Sequence, residues 1–193
     1  MLGFGAIGQH AIGQVSPVNI RSTIATLVLN GLIVPENKVK EGVLIKSTST
    51  VWIEIARILG LDASLFAELS PTQLEELVAG AYEKAGYSVI LTPGSGDHGR
   101  DVIATSSGVG SIRILGSVKR YAPDHLVTAE ACRSLMGVVA ADPKASKGII
   151  TTTSDFAPMV RSDPSLAPFL PTRLELMNGE ELQKWLIDLS GSK

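Results

Sequence analysis

Residues 94–121, GSGDHGRDVIATSSGVGSIRILGSVKRY, constrain the fold more than any other part of the chain. A Gly-rich turn carrying Asp97 and Asp101 leads into the apolar run Val102-Ile103-Ala104, and a second apolar run, Ile112 to Val118, ends at Lys119. Short apolar runs bounded by Gly and Ser read as paired strands. Strand side chains alternate with period two, so Ser117 and Lys119 share one face and Val118 takes the other. Pairing the runs lets Asp101, at the start of one, face Lys119, at the end of the other. A carboxylate beside an ammonium at a sheet edge suits metal-assisted phosphodiester chemistry. The carboxylate holds Mg²⁺, and the lysine orients or activates water or offsets phosphate charge.

The two turn aspartates differ in what else explains them. Asp97 sits among glycines, where Asp is favoured for backbone reasons alone. Asp101 opens a strand, where a carboxylate is costly without a partner, so Asp101 is the expected metal ligand. His98 reads as a solvent-exposed turn residue. Two literal G-x-G-x-x-G matches, at Gly3 and Gly94, lack the strand-then-helix context of a dinucleotide site and are set aside.

Around this centre the periodicities are clear. Ser70-Pro71-Thr72-Gln73 is a capping box with proline at the first helical position, and Leu74, Leu77, Val78, Ala81 and Ala85 then line one helix face. Glu75 falls at the border of that stripe, within reach of a sheet edge, whereas Glu76 is expected in solvent. Tyr87–Leu91 reads as a strand, 127–140 as a helix, 148–153 as a buried strand, 155–172 as an irregular connection, and Arg173–Met177 as a short strand. Asn178 and Glu181 cap a last amphipathic helix. The threonines at 151–153 are candidate phosphate contacts, and Glu130 and Arg133 a candidate surface pair.

These elements define an α/β class with a central mixed β-sheet flanked by helices and a site at one sheet edge. Residues 1–68 form a less readable N-terminal accessory region, for dimerisation or DNA reading, and 69–193 the main domain. In the first region, Ile20–Val28 fits a helix, although Asn30-Gly31 also suits a hairpin. A second helix is expected over about Thr50–Leu59, capped by Ser49 and stopped by Gly60, followed by a short connection at 61–69.

Charge sets limits on partners. The formal net charge is −2, so any DNA affinity needs a local patch, for which Arg100, Arg113, Lys119, Arg120, Arg133, Lys144 and Lys147 are eligible. No apolar run approaches a membrane span and no cationic segment precedes a signal-like stretch, so a cytoplasmic protein with no membrane partner is expected. The single cysteine, Cys132, lies in an apolar helical pattern and reads as a packed thiol.

The same residues carry a family resemblance. GSGDHGRD at 94–101 resembles the G-D-x-G-x-D turn of the Mrr-type restriction endonucleases, with Gly96, Asp97, Gly99 and Asp101 in place. Ser117-Val118-Lys119 is similar to that family's Q-x-K strand, with the first position changed. The likeness extends through SPTQLEELV, KGIITTTSDF and LELMNGEEL. It implies a restriction-endonuclease-like, PD-(D/E)xK fold and Mg²⁺-dependent hydrolysis of double-stranded DNA in restriction of foreign DNA, with Mn²⁺ as a substitute and a homo-oligomeric state. It also implies Asp101, Glu75 and the Val118 carbonyl as metal ligands, with Lys119 and Ser117 completing the site. The competing expectation is a nuclease-like fold that binds DNA or a partner without cutting.

Overall fold

The computed structural model describes residues 17–29, 31–93 and 99–191. Asp97, His98 and the glycines at 3–8, 94 and 96 lie outside them. The elements, in order, are α1 (Pro17–Leu29), β1 (Ile33–Val39), β2 (Gly42–Ser47), α2 (Ser49–Leu61), a 3₁₀ helix (Ala63–Glu68) and α3 (Pro71–Lys84). There follow β3 (Ser88–Leu91), β4 (Val102–Thr105), β5 (Arg113–Lys119), α4 (Ala129–Ala141), β6 (Lys147–Thr152), a 3₁₀ turn (Ala167–Phe169), β7 (Leu174–Met177) and α5 (Gly179–Leu189).

One mixed sheet holds all seven strands in sequence order. Strands β1 to β5 pair antiparallel, each with the next in the chain, with α2, the 3₁₀ helix and α3 standing between β2 and β3, and β5–β6–β7 pair parallel through α4 and the 153–173 segment. On one face α1, α2, α3 and α5 bury Trp52, Ile55, Leu74, Leu77, Val78, Leu182 and Leu186 against Ile45, Val89, Val102, Ala104, Ile114 and Val118. On the other, α4 and residues 156–166 cover Ile103, Leu115, Ile150, Leu174 and Leu176. The alternation along β4 and β5 thus sends successive residues to two separate cores.

Both expected capping boxes form. Ser70 Oγ accepts from the Gln73 amide at 3.2 Å while Gln73 Oε1 accepts from the Ser70 amide at 2.7 Å. Asn178 and Glu181 reciprocate at 3.0 and 2.8 Å. Residues 17–29 take the helical alternative, and Gly31, at φ +80°, turns the chain out of it.

Two local expectations are corrected, and one unread stretch gains a structure. Thr48, not Ser49, precedes α2, and its hydroxyl donates to the Gly31 and Leu32 carbonyls rather than capping the helix. Gly60 does not stop α2; it lets α5 approach, since a Cβ there would lie 2.4 Å from Ile187 Cγ1. β1 (Ile33–Val39) and β2 (Gly42–Ser47) form a hairpin that turns at Lys40-Glu41, not at the Asn30-Gly31 pair that the sequence also offered. Gly42 is required in the hairpin because a Cβ would meet the Leu91 carbonyl oxygen at 2.0 Å. Hydrogen bonding and packing therefore run across the 68/69 junction: β2 pairs with β3, and Trp52 Nε1 donates to the Leu77 carbonyl at 2.9 Å.

Candidate active site

The site is built where β4 begins and β5 ends. Register pairs Val102 with Gly116, and the Asp101 amide donates to the Gly116 carbonyl at 2.8 Å. Thr92 closes the other side, its amide donating to the Asp101 carbonyl at 3.1 Å and its hydroxyl to the Arg100 carbonyl at 2.5 Å. These backbone bonds aim the Asp101 carboxylate along β5. Its Oδ2 accepts from the Val118 amide at 2.6 Å and from Ser117 Oγ at 3.4 Å, and lies 3.9 Å from Lys119 Nζ.

Asp101, Ser117 and Lys119 are thus brought together, on the face that α4 covers. Ser117 is buried, 3% exposed, and spends its hydroxyl on Asp101 rather than bordering open space. Lys119 keeps 31% of its side chain exposed, so the ammonium is reachable from solvent. Its carbonyl accepts from the Thr153 amide at 3.2 Å. Val118 turns its side chain into the opposite core while its amide serves Asp101. N–H and C=O of one strand residue point to the same edge, so the Val118 carbonyl faces the Asp101 side, beyond the last registered pair of β4.

Glu75 is half-buried on α3, which packs on the other face of the sheet, against β3, β4 and β5. Glu76, expected in solvent, is also half-buried, and burial raises its carboxyl above the ordinary glutamate range. Among the described residues, no three His, Cys, Asp or Glu side chains gather as a metal-binding group.

Other candidates serve structure. Thr153 Oγ1 accepts from the Tyr121 amide at 2.9 Å and donates to its carbonyl at 2.8 Å, clamping the chain just past Lys119, and Thr151 and Thr152 are buried. Arg133 pairs with Asp163 at 2.7 Å, not with Glu130. Cys132 is buried, and burial pushes its thiol up to about 11, as a packed cysteine requires. Sequence reading missed the charged cluster behind the turn, where Arg113 donates to Asp142 at 3.1 Å and to Glu41 at 2.5 Å. The acids that reveal it come from β1–β2 and the end of α4, far apart in the chain.

A mixed sheet whose antiparallel β4–β5 pair presents aspartate and lysine at one edge, with a parallel β6 reached through a helix, defines a PD-(D/E)xK nuclease-like fold. Residues 66–186 match the Mrr-type catalytic family model, described as "Restriction endonuclease"; this is more than half of the chain, and the protein belongs to that family. Among solved structures, the DNA modification-dependent restriction endonuclease AspBHI shares the fold with TM-score 0.51 and 16% identity, covering 74% of this chain and 35% of that one. MspJI restriction endonuclease, solved with a 27-mer oligonucleotide, aligns at TM-score 0.40 and 18% identity over 95% of this chain and 34% of its own. An uncharacterized protein, y4cE, of Sinorhizobium fredii is 28% identical over 103 residues, 53% of this chain. The chain spans only about a quarter of that relative's length, 26%. Among the described residues no helix is long and apolar enough to cross a membrane.

Proposed function

We propose that the protein is a divalent-metal-dependent endonuclease acting on double-stranded DNA, with Mg²⁺ as the ion and Mn²⁺ as a substitute. The observation that carries this reading is the Asp101 carboxylate, fixed by the Val118 amide at 2.6 Å with Lys119 Nζ 3.9 Å away. The donors are hard oxygens of the kind Mg²⁺ takes, which commonly binds through one or two carboxylates and keeps several waters. Asp101, the Val118 carbonyl and Glu75 would hold the ion, which when bound would stabilise charge on the phosphate. Lys119, partly exposed, orients the attacking water or offsets phosphate charge. Ser117 supports Asp101 by its hydroxyl, which makes the changed first position of the strand motif a brace for the carboxylate.

Family membership supports a role in restriction of foreign DNA, in the cytoplasm. A homo-oligomer follows from the same reading, because one site cuts one strand of a duplex. All the candidate residues lie in 69–193, which we take as the catalytic unit, with 1–68 as the accessory region. The deciding experiment incubates supercoiled plasmid with the protein and Mg²⁺, Mn²⁺ or EDTA. Nicked or linear product with either metal and none with EDTA is expected. Intact plasmid under every metal, together with DNA binding that survives chelation, would replace this reading with that of a non-cutting DNA-binding protein.

A further inference from the structure

Behind the Asp101 turn, four charged side chains alternate in sign. Glu41 Oε1 lies 2.5 Å from Arg113 Nη2 and 3.9 Å from Arg100 Nη2. Asp142 Oδ2 lies 3.1 Å from Arg113 Nε and 4.0 Å from Arg100 Nη1. Arg113 is hydrogen-bonded to both acids. Arg100 is held by the same two oxygens at distances too long for hydrogen bonds, and its buried Nε has no partner. The Arg100 side chain is nonetheless only 18% exposed, so charge balance rather than hydrogen bonding keeps it there. Burial opposes the charged form of Asp142, but the Lys144 amide, Arg113 and Arg100 outweigh it and hold that carboxyl below its ordinary range.

The cluster's position gives it a task. Ladder bonds fix the Asp101 backbone on the β4 side. On the turn side the neighbouring anchor is Arg100, whose carbonyl is bound by Thr92 and whose guanidinium is held between the β1–β2 turn and the end of α4. Glu41 stands outside residues 66–186, so the family match does not include it. We infer that Glu41 is a positioning residue for the active site: acting through Arg100, it sets the orientation of the Asp101 carboxylate. Without its charge, two guanidiniums face one carboxylate, Arg100 is pushed from its seat, and the adjacent Asp101 loses its hold on the Val118 amide.

The inference deepens the proposed function, yet its test needs neither metal nor DNA. The Val118 N–H bonds to Asp101 Oδ2, so its hydrogen exchange reports directly on that carboxylate. In the full chain, Glu41→Gln should speed Val118 exchange about tenfold or more, while the β6 amides Ile149 and Ile150 keep their wild-type rates. In an Arg100→Gln background, Glu41→Gln should add nothing further. Unchanged Val118 exchange, a rise shared equally by β6, or a full-sized effect without Arg100 would each overturn the inference. Plasmid cleavage separates the two ideas. A Val118 response in a protein that cuts nothing leaves the positioning role standing and removes the nuclease reading, whereas cleavage with an unresponsive Val118 does the reverse.

Discussion

At the scale of single residues, the candidate site divides into groups proposed to touch the reaction and groups that hold them. Lys119→Ala should lower cleavage by about a hundredfold or more with the fold retained, since the side chain is partly exposed at a strand end. Circular dichroism beside the plasmid assay checks both halves, and full activity would remove Lys119 from the chemistry. Ser117→Ala loses only a 3.4 Å contact and should cost far less, because the Val118 amide still holds Asp101. Glu76 gives a pH-dependent prediction. Its folded carboxyl is raised by burial, so the charged form is penalised in the fold. That penalty is absent below the unfolded value and complete above the folded one. Glu76→Gln should therefore melt later than wild type at pH 7, by about one or two degrees, and with it at pH values under about 4. Equal melting at both pH values would contradict it. The Asp101–Lys119 pairing was legible because strand alternation and turn chemistry act locally. The Ser117 brace and the half-buried Glu76 were not, because each depends on a neighbour from elsewhere in the chain.

At the scale of elements, the sequence was most readable where local signals agreed and least where packing overrode them. Both capping boxes and the β3–β7 core follow from residues within a few positions of one another. The β1–β2 hairpin escaped because Pro35 interrupts the first run and because β1 is an exposed edge strand with a register shift between Pro35 and Lys38. The two-residue turn Lys40-Glu41 and the run after Gly42 were the available signals. Gly60 misled for a related reason, since a glycine that admits a neighbouring helix resembles one that ends its own. The hairpin hangs on Gly42, where a Cβ would sit 2.0 Å from the Leu91 carbonyl oxygen and the backbone is at φ +153°. Gly42→Ala should destabilise the protein by roughly 2–3 kcal/mol, through overpacking against backbone that cannot yield. Urea denaturation measures this, and a loss under about 0.5 kcal/mol would show that β2 shifts freely along β3.

At the scale of the molecule, the question is how residues 1–68 and 69–193 depend on each other. The sheet is continuous from β1 to β7, and the core under α3 is shared with α2, whose Trp52 fits against Gly80 so closely that a Cβ there would lie 2.4 Å from the indole nitrogen. Trp52, Ile55, Ala56 and Leu59 are all fully buried, and each burial of a large apolar side chain contributes about 1.5–3 kcal/mol. Removing residues 1–68 would strip these groups from the core and expose the edge of β3, an unprotected pairing surface. The loss is comparable to the whole stability of an ordinary domain, about 5–15 kcal/mol. The full chain should therefore melt in one cooperative transition by calorimetry, with calorimetric and van't Hoff enthalpies equal. The isolated 69–193 segment should show no cooperative transition and should aggregate. A soluble 69–193 segment that melts near the full-length temperature would establish the accessory region as a separable module. Its hairpin would then act on the active site only as an attached neighbour, and not as part of the same folding unit.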